Sequence, residues 1–400
     1  MDCRSGNPAL FPPRSRAGDQ GRGVLWYDNP MSHEPAIVPD WAELPHDPED
    51  ADLAELTASL AELDGPADEA GVWPADVWAE LVDYGVPLWA LPTKVGGQEC
   101  ERLRLLQRYA RVAEGSMTAA FILSQHDAGV RRLAVALDRH GATTWLKMIK
   151  ADEAFATVGI SQLTTSKRLG ANPLRAVPDG HGYRLNGAMP WVTAAEMADV
   201  IVTGAVLDDG RQILVALPTD RPGLDVREPF LLAALQASCT SEVVCDRVHI
   251  EETFLLAGPD LDVMSHAGAG GTGGLETSAL ALGQARAALV AIEGVRGDGR
   301  AELADSVEAL CDSWRYTWQA LAAASQGGVD APTPAQVRGQ SNALVLRTTQ
   351  AYLTARRGSG FLRTEPAQRW ARQALFFLVW SCPGPVADAT IRDLAGVCAL

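Results

Sequence analysis

Trp191 and Thr193 stand two apart in Tyr183-Arg-Leu-Asn-Gly-Ala-Met-Pro-Trp191-Val-Thr193, a stretch of strand character. Alternation along a strand puts such a pair on one face, where an indole plate and a hydroxyl can meet a flat polar ring together. Just upstream, Ser161 to Ser166 follows a short apolar run, Phe155 to Ile160, and offers hydroxyls and free backbone amides. The same residues also describe an ordinary antiparallel hairpin with a buried Trp. Other chemistries find less support. No Gly-x-Ser-x-Gly elbow occurs, and no Cys/His pairing follows from spacing, so nucleophilic catalysis has no motif. His33, His46, His140, His181, His249 and His266 fall in loops or at element edges without metal-ligand spacing, and no metal site is expected. Ser265 to Gly274 is glycine-rich, but no Gly-Lys-Ser/Thr follows, and it reads as a flexible connector.

The elements that must position these residues change character along the chain. Residues 1–46 are rich in Gly, Pro, Arg and Asp without apolar periodicity, and are expected to be disordered. They lack the apolar core of a signal peptide, Asp19 and Asp28 argue against a transit peptide, and Met31 is a candidate start. Residues 47–153 read as helical. Leu53, Leu56, Leu60 and Leu63 recur at three and four until Asp64-Gly65-Pro66, Trp78 to Tyr84 makes a second helix, and Arg102 to Ala113 and Met117 to His126 continue. Residues 154–258 carry β-branched runs at Val200 to Val206, Ile213 to Leu217, Leu224 to Arg227 and Ser241 to Ile250, with Asp179-Gly180 and Asn186-Gly187 as turns. In residues 259–400, Leu275 to Ile292, Ala301 to Ala324, Pro334 to Arg357 and Glu365 to Val379 read as four helices with short connections, hence a bundle with Trp314, Trp318, Trp370 and Trp380 in its core.

Tyr183 to Thr193, with Ala198-Asp-Val-Ile-Val-Thr-Gly-Ala205 after it, resembles the middle domain of the acyl-CoA dehydrogenase family, in which Tyr-x-Leu-Asn-Gly-x-Lys-x-Trp-Ile-Thr precedes Ala-Asp-x-x-x-Val-x-Ala. Ser161-Gln-Leu163 stands where that family carries Thr-Glu-Pro. The order helices, sheet, helices covers nearly everything after Asp47. The resemblance implies an α+β, acyl-CoA dehydrogenase-like fold: an N-terminal helical domain, a middle antiparallel β domain and a C-terminal four-helix bundle. It implies FAD, with FMN possible, bound through Ser161, Ser166, Trp191 and Thr193 and by the turn that holds Gly358 and Gly360. The implied activity is α,β-dehydrogenation of an acyl-CoA or related thioester in fatty acid metabolism. Electron-transfer flavoprotein or a flavin reductase is the implied redox partner, and a homodimer or homotetramer the implied assembly.

The catalytic positions depart from that pattern. Dehydrogenation needs a carboxylate to take the α-proton, and Ser381 occupies the place of the family's usual glutamate. The alternative location, on the first bundle helix, falls on Gly273 and Gly274, with Glu276 close behind as a displaced base or as a helix-start carboxylate facing the dipole. The arginine that should reach the FAD pyrophosphate has only Arg296 and Arg300 as counterparts, with Arg363 nearby, and the expected glutamine is Thr354. Members that hydroxylate with reduced flavin and oxygen dispense with the glutamate, and some carry a histidine on the N-terminal helices. His126 is the candidate for that role, or a helix-end residue capping carbonyls. A silent homologue kept for binding a ligand or partner is the third possibility.

Four hundred residues, 47% hydrophobic and 21% charged, suffice for two or three structural units. A formal charge of -16 with scattered Lys and Arg argues against nucleic acid. No uninterrupted run of about 18 apolar residues occurs, so no membrane span is expected. Seven cysteines without a CxxC pair suggest reduced thiols in a cytoplasm.

Overall fold

Leu53, Leu56 and Leu60 recur at helical spacing, and all three are buried along α1 (Asp50–Ala70). Asp64-Gly65-Pro66 does not stop this helix, which continues to Ala70. Tertiary contacts hold the extra turn. The Asp64 carboxylate takes Arg369 Nε and Ser116 Oγ at 2.7 Å each, and Asp68 takes Arg372 at 2.7 Å. The computed structural model describes residues 38–41, 50–164, 174–266 and 274–397.

Four more helices complete the N-terminal region: α2 (Ala75–Asp83), α3 (Arg102–Gly115), α4 (Met117–Val135) and α5 (His140–Lys150). Ser116 caps α4 by accepting the Ala119 amide while its hydroxyl donates to Asp64, so one side chain ends α3, starts α4 and ties both to α1. Because α4 runs to Val135, His126 lies in mid-helix, not at a helix end.

Among the described residues the β region forms one sheet of eight strands: β1 (Ala156–Gly159), β2 (Arg175–Pro178), β3 (Gly182–Val192), β4 (Val200–Val206), β5 (Gln212–Pro218), β6 (Leu224–Val226), β7 (Ser241–Glu251) and β8 (Leu255–Asp260). The spatial order is β6-β7-β3-β2-β4-β5-β8, with β1 beside β4. It is mixed rather than wholly antiparallel: β1 and β2 each pair with β4 in parallel, the long connection through the β2–β3 hairpin providing the crossover a parallel pair needs. Asp179-Gly180 is the turn of that hairpin, the Asp179 amide donating to Gly182 O. Asn186-Gly187 is no turn. It is a bulge inside β3, where the register against β7 shifts, Gly187 takes φ 123°, and Asn186 Oδ1 accepts the Arg247 amide. Val130, Leu133, Leu146 and Ile149 of α4 and α5 pack on Val158, Val200 and Leu214, which fixes α4 over β1 and β4.

The C-terminal region holds α6 (Val263–His266), α7 (Leu275–Gly297), α8 (Ala304–Gln326), α9 (Pro334–Arg356), α10 (Pro366–Phe376) and α11 (Gly384–Leu394), the last not expected from periodicity. By length and composition α7 could cross a membrane, but here α3, α8 and α9 pack around it. It approaches α3 so closely that a Cβ on Gly283 would stand 2.0 Å from Ala110 O. Gly283→Val is therefore expected to force the helices apart and lower unfolding free energy by about 1–3 kcal/mol or more, read from urea denaturation; an unchanged midpoint would contradict this contact.

Part of the segment expected to be disordered is docked. Trp41 is buried edge-on against Trp314 and Trp318 at 5.5 and 5.3 Å, its Nε1 donates to Glu114, and Arg286 of α7 lies over its ring while binding Pro39 O.

Candidate functional site

Strand alternation does not carry Trp191 and Thr193 to a common environment. The register shifts between Met189 and Val192, and the strand ends at Val192. Trp191 is 51% exposed, its ring 4.7 Å from Phe230, whereas Thr193 is 4% exposed. Buried with Thr193 is a group of hydroxyls that sequence reading missed. Thr193 Oγ1 lies 3.3 Å from Thr240 Oγ1, which lies 2.9 Å from Ser238 Oγ, and Thr157 Oγ1 donates to Thr193 O at 2.8 Å. Ser161 opens a 3-10 turn, Ser161–Leu163, that packs on β3, and its Oγ is buried with no hydrogen-bond partner among the described residues. Ser166 lies outside the described residues.

The remaining expected contacts to a flavin are scattered. Gly360 is buried in the 3-10 turn Arg357–Phe361 against Arg356, Ala367 and Leu353, where it serves packing, and Gly358 is exposed. Arg296 donates to Glu293 through two bonds of 2.7–2.8 Å, Arg300 pairs with Glu302, and Thr354 is exposed, its hydroxyl on Gln350 O. Neither arginine is held ready for a pyrophosphate.

Ser381 sits in the left-handed region at φ 45°, just past Trp380. Trp380 stacks on Phe376 at 5.3 Å, and Phe121 of α4 packs edge-on against both, so the space between α4 and this turn is filled by aromatic rings.

His126 is 1% exposed and lies among Trp78 and Phe155, ring centres 5.3 and 5.0 Å away. Its Nδ1 meets Ala156 O at 3.1 Å, and its Nε2 has no partner. Burial depresses its pKa to about 4, which keeps the ring neutral. A sealed neutral imidazole is a poor proton donor to anything outside this cluster.

Glu276 is neither an exposed helix-start carboxylate nor isolated. Its Oε1 lies 3.7 Å from Arg102 Nη1 and 3.8 Å from Arg131 Nη2. Although burial works against the charge, the facing guanidiniums of Arg131 and Arg102 hold its pKa below the ordinary carboxylate value. Arg131 Nη1 donates to Tyr109 Oη at 3.1 Å, and Tyr109 donates to Asp127 at 2.5 Å. Burial lifts Asp127 to about 7 despite Tyr109 and Arg131. Leu105, Leu106 and Ala90 close a cavity of about 180 Å³ over Arg102, Arg131 and Glu276. Tyr109, Asp127 and Arg131 were not anticipated. Their signal was present as buried-face positions of α3 and α4 occupied by polar residues.

No protein-family model matches the chain. It is 24% identical over 228 residues to the probable acyl-CoA dehydrogenase YngJ of Bacillus subtilis, covering 56% of this chain and 60% of that protein. It is 26% identical over 235 residues to the benzylmalonyl-CoA dehydrogenase of Aromatoleum aromaticum, again 56% and 60%. The match thus spans about three fifths of these relatives' length. Among solved structures, butyryl-CoA dehydrogenase from Megasphaera elsdenii superposes with a TM-score of 0.72 at 17% identity over 87% of this chain and 99% of that one. The prolyl acyl carrier protein oxidase AnaB gives 0.73 at 15% over 88% and 100%, and KijD3, solved with FMN and a dTDP-sugar, 0.68 at 18% over 89% and 96%. The fold is that of the acyl-CoA dehydrogenases. In sequence, the chain resembles acyl-CoA dehydrogenases over rather more than half its length.

Proposed function

We propose that the chain is a flavin-dependent oxidoreductase acting on an acyl thioester or a related small molecule. Ser161 carries the reading. A buried hydroxyl without a partner costs about 1–3 kcal/mol, and Ser161 Oγ is such a group on the turn that packs against β3. The hydrogen-bonding edge of a flavin would satisfy it. Trp191 would offer its exposed indole to the ring, and Thr193 would position the chain beneath it through Thr157 and Thr240. Bound there, the flavin would supply two-electron redox chemistry. FAD and FMN both suit these groups, and with Arg296 and Arg300 paired to their own carboxylates, FMN loses little by lacking the second phosphate. Ser166, Gly358, Gly360, a flavoprotein or reductase partner and a homo-oligomer belong to the same reading. Trp191→Ala is expected to weaken flavin binding about three- to tenfold, the worth of one aromatic contact; equal affinity of variant and parent would remove Trp191 from the site.

Within this reading, Glu276 is the base candidate for thioester dehydrogenation, since it lines a cavity and stays ionised. An oxygen-dependent reaction is the second reading, favoured by Ser381 and by the two arginines that weaken Glu276 as a base. Anaerobic addition of short and long acyl-CoA to flavin-loaded protein separates them. Bleaching that disappears in Glu276→Gln supports the first, and turnover only with oxygen and a reductase supports the second. Protein that binds neither FAD nor FMN would overturn both.

A further inference from the structure

The cavity beside Glu276 is lined by two guanidiniums, Arg102 and Arg131, that Glu276 does not hydrogen-bond. Glu276 is 3.7 and 3.8 Å from Arg102 and Arg131, too far to be a hydrogen-bond acceptor for either. Arg131 spends Nη1 on Tyr109, and its buried Nε has no acceptor. Glu99, the other carboxylate on the wall, is taken by the Thr93 amide and hydroxyl at 3.0 and 2.7 Å. Arg102, half exposed at the mouth, and Arg131 therefore face Glu276 across the cavity without a hydrogen bond to it, with Leu105 and Leu106 on the walls. Guanidinium groups pair with carboxylates through short, charge-assisted bonds, and buried donors left open are the ones such a ligand closes. At about 180 Å³ the cavity is smaller than the roughly 300–1,000 Å³ that holds a drug-sized molecule, so it fits one end of a ligand.

We infer that this cavity binds the carboxylate end of a short acidic ligand, through Arg102 and Arg131. If the thioester reading above holds, the substrate is the monothioester of a short dicarboxylic acid, with its free carboxylate here. The binding claim does not need that reading.

Calorimetric titration of the full chain at low salt with butyrate, its uncharged isostere butyramide, and sulfate tests it. Butyrate is expected to bind and butyramide to bind at least tenfold more weakly, as is sulfate, which does not match the narrow apolar walls. Arg131→Met and Arg102→Gln should each weaken butyrate about 10–100-fold. Arg102 is exposed enough that its variant keeps the fold if the Arg131 variant does not. Glu276→Gln should tighten butyrate roughly tenfold by removing a like charge. Equal binding of butyrate and butyramide, sulfate binding as well as butyrate, or weaker butyrate binding in Glu276→Gln would each overturn the inference. Butyrate binding as expected in a protein that takes no flavin would leave the carboxylate site standing and reject the oxidoreductase.

Discussion

Asp64→Ala is expected to lower unfolding free energy by about 3–5 kcal/mol, among the largest effects of any single replacement in this chain. The carboxylate is 1% exposed and holds Arg369 Nε and Ser116 Oγ at 2.7 Å each. Removing it strands a guanidinium that is itself buried and frees the hydroxyl that caps α4. The cost comes from the uncompensated charge, not from the net worth of the pair, so the double replacement Asp64→Leu with Arg369→Met should recover most of the loss. Urea denaturation of the four proteins in the cycle measures this. Single and double variants equally destabilised would mean that the pair itself, not the stranded arginine, holds α10 to α1.

The second expected result concerns two neighbours in sequence whose titrations oppose each other. Burial lowers His126 to about 4 from an ordinary 6.5, so between those values the unfolded chain binds the extra proton and stability rises with pH. Burial raises Asp127 to about 7 from an ordinary 3.8, so between those values the folded chain holds the extra proton and stability falls as pH rises. From about pH 4.5 to 6.5 the two slopes, each up to roughly 1.4 kcal/mol per unit, nearly cancel in the parent protein. His126→Asn keeps a donor toward Ala156 O and leaves the Asp127 slope alone, so stability relative to parent should decline by roughly 2 kcal/mol across that window. Asp127→Asn keeps an acceptor for Tyr109, and stability relative to parent should climb by a similar amount. Parallel pH curves for parent and both variants would mean that neither group is held in the protonation state its burial imposes.

The parts of this fold that were legible in the sequence are those decided locally. The leucines of α1 and the β-branched run of β4 show their period directly, and Asp179-Gly180 turns the chain where its residue types say it should. Asn186-Gly187 has equally good turn chemistry but is overruled by β7, whose backbone pairs on both sides of it and absorbs the extra residue as a bulge. β8 went unseen because Leu-Leu-Ala-Gly-Pro-Asp has no alternation, and only its pairing with β5 makes it a strand. The site was less legible still. His126 and Glu276 were both noticed, but what each can do depends on partners far away in the chain: Ala156 and Phe155 for the first, Arg102 and Arg131 for the second. For His126, offered by the sequence as an acid or base or as a helix-end cap, burial in mid-helix makes a neutral core residue. Glu276 changed from a solvated carboxylate to a member of a charged cavity.

Trp41 has a consequence for the order in which the molecule can be assembled. Its neighbours are Trp314 and Trp318, and the adjacent Pro39 carbonyl is bound by Arg286, 247 positions later. On a ribosome that tryptophan emerges early, can meet Glu114 and Arg111 of α3, and lacks the rest of its seat until α7 and α8 have been synthesised. Contacts of such long sequence separation slow the final closure of a chain. The first part of the chain thus keeps one of its tryptophans for a seat that only the last third completes.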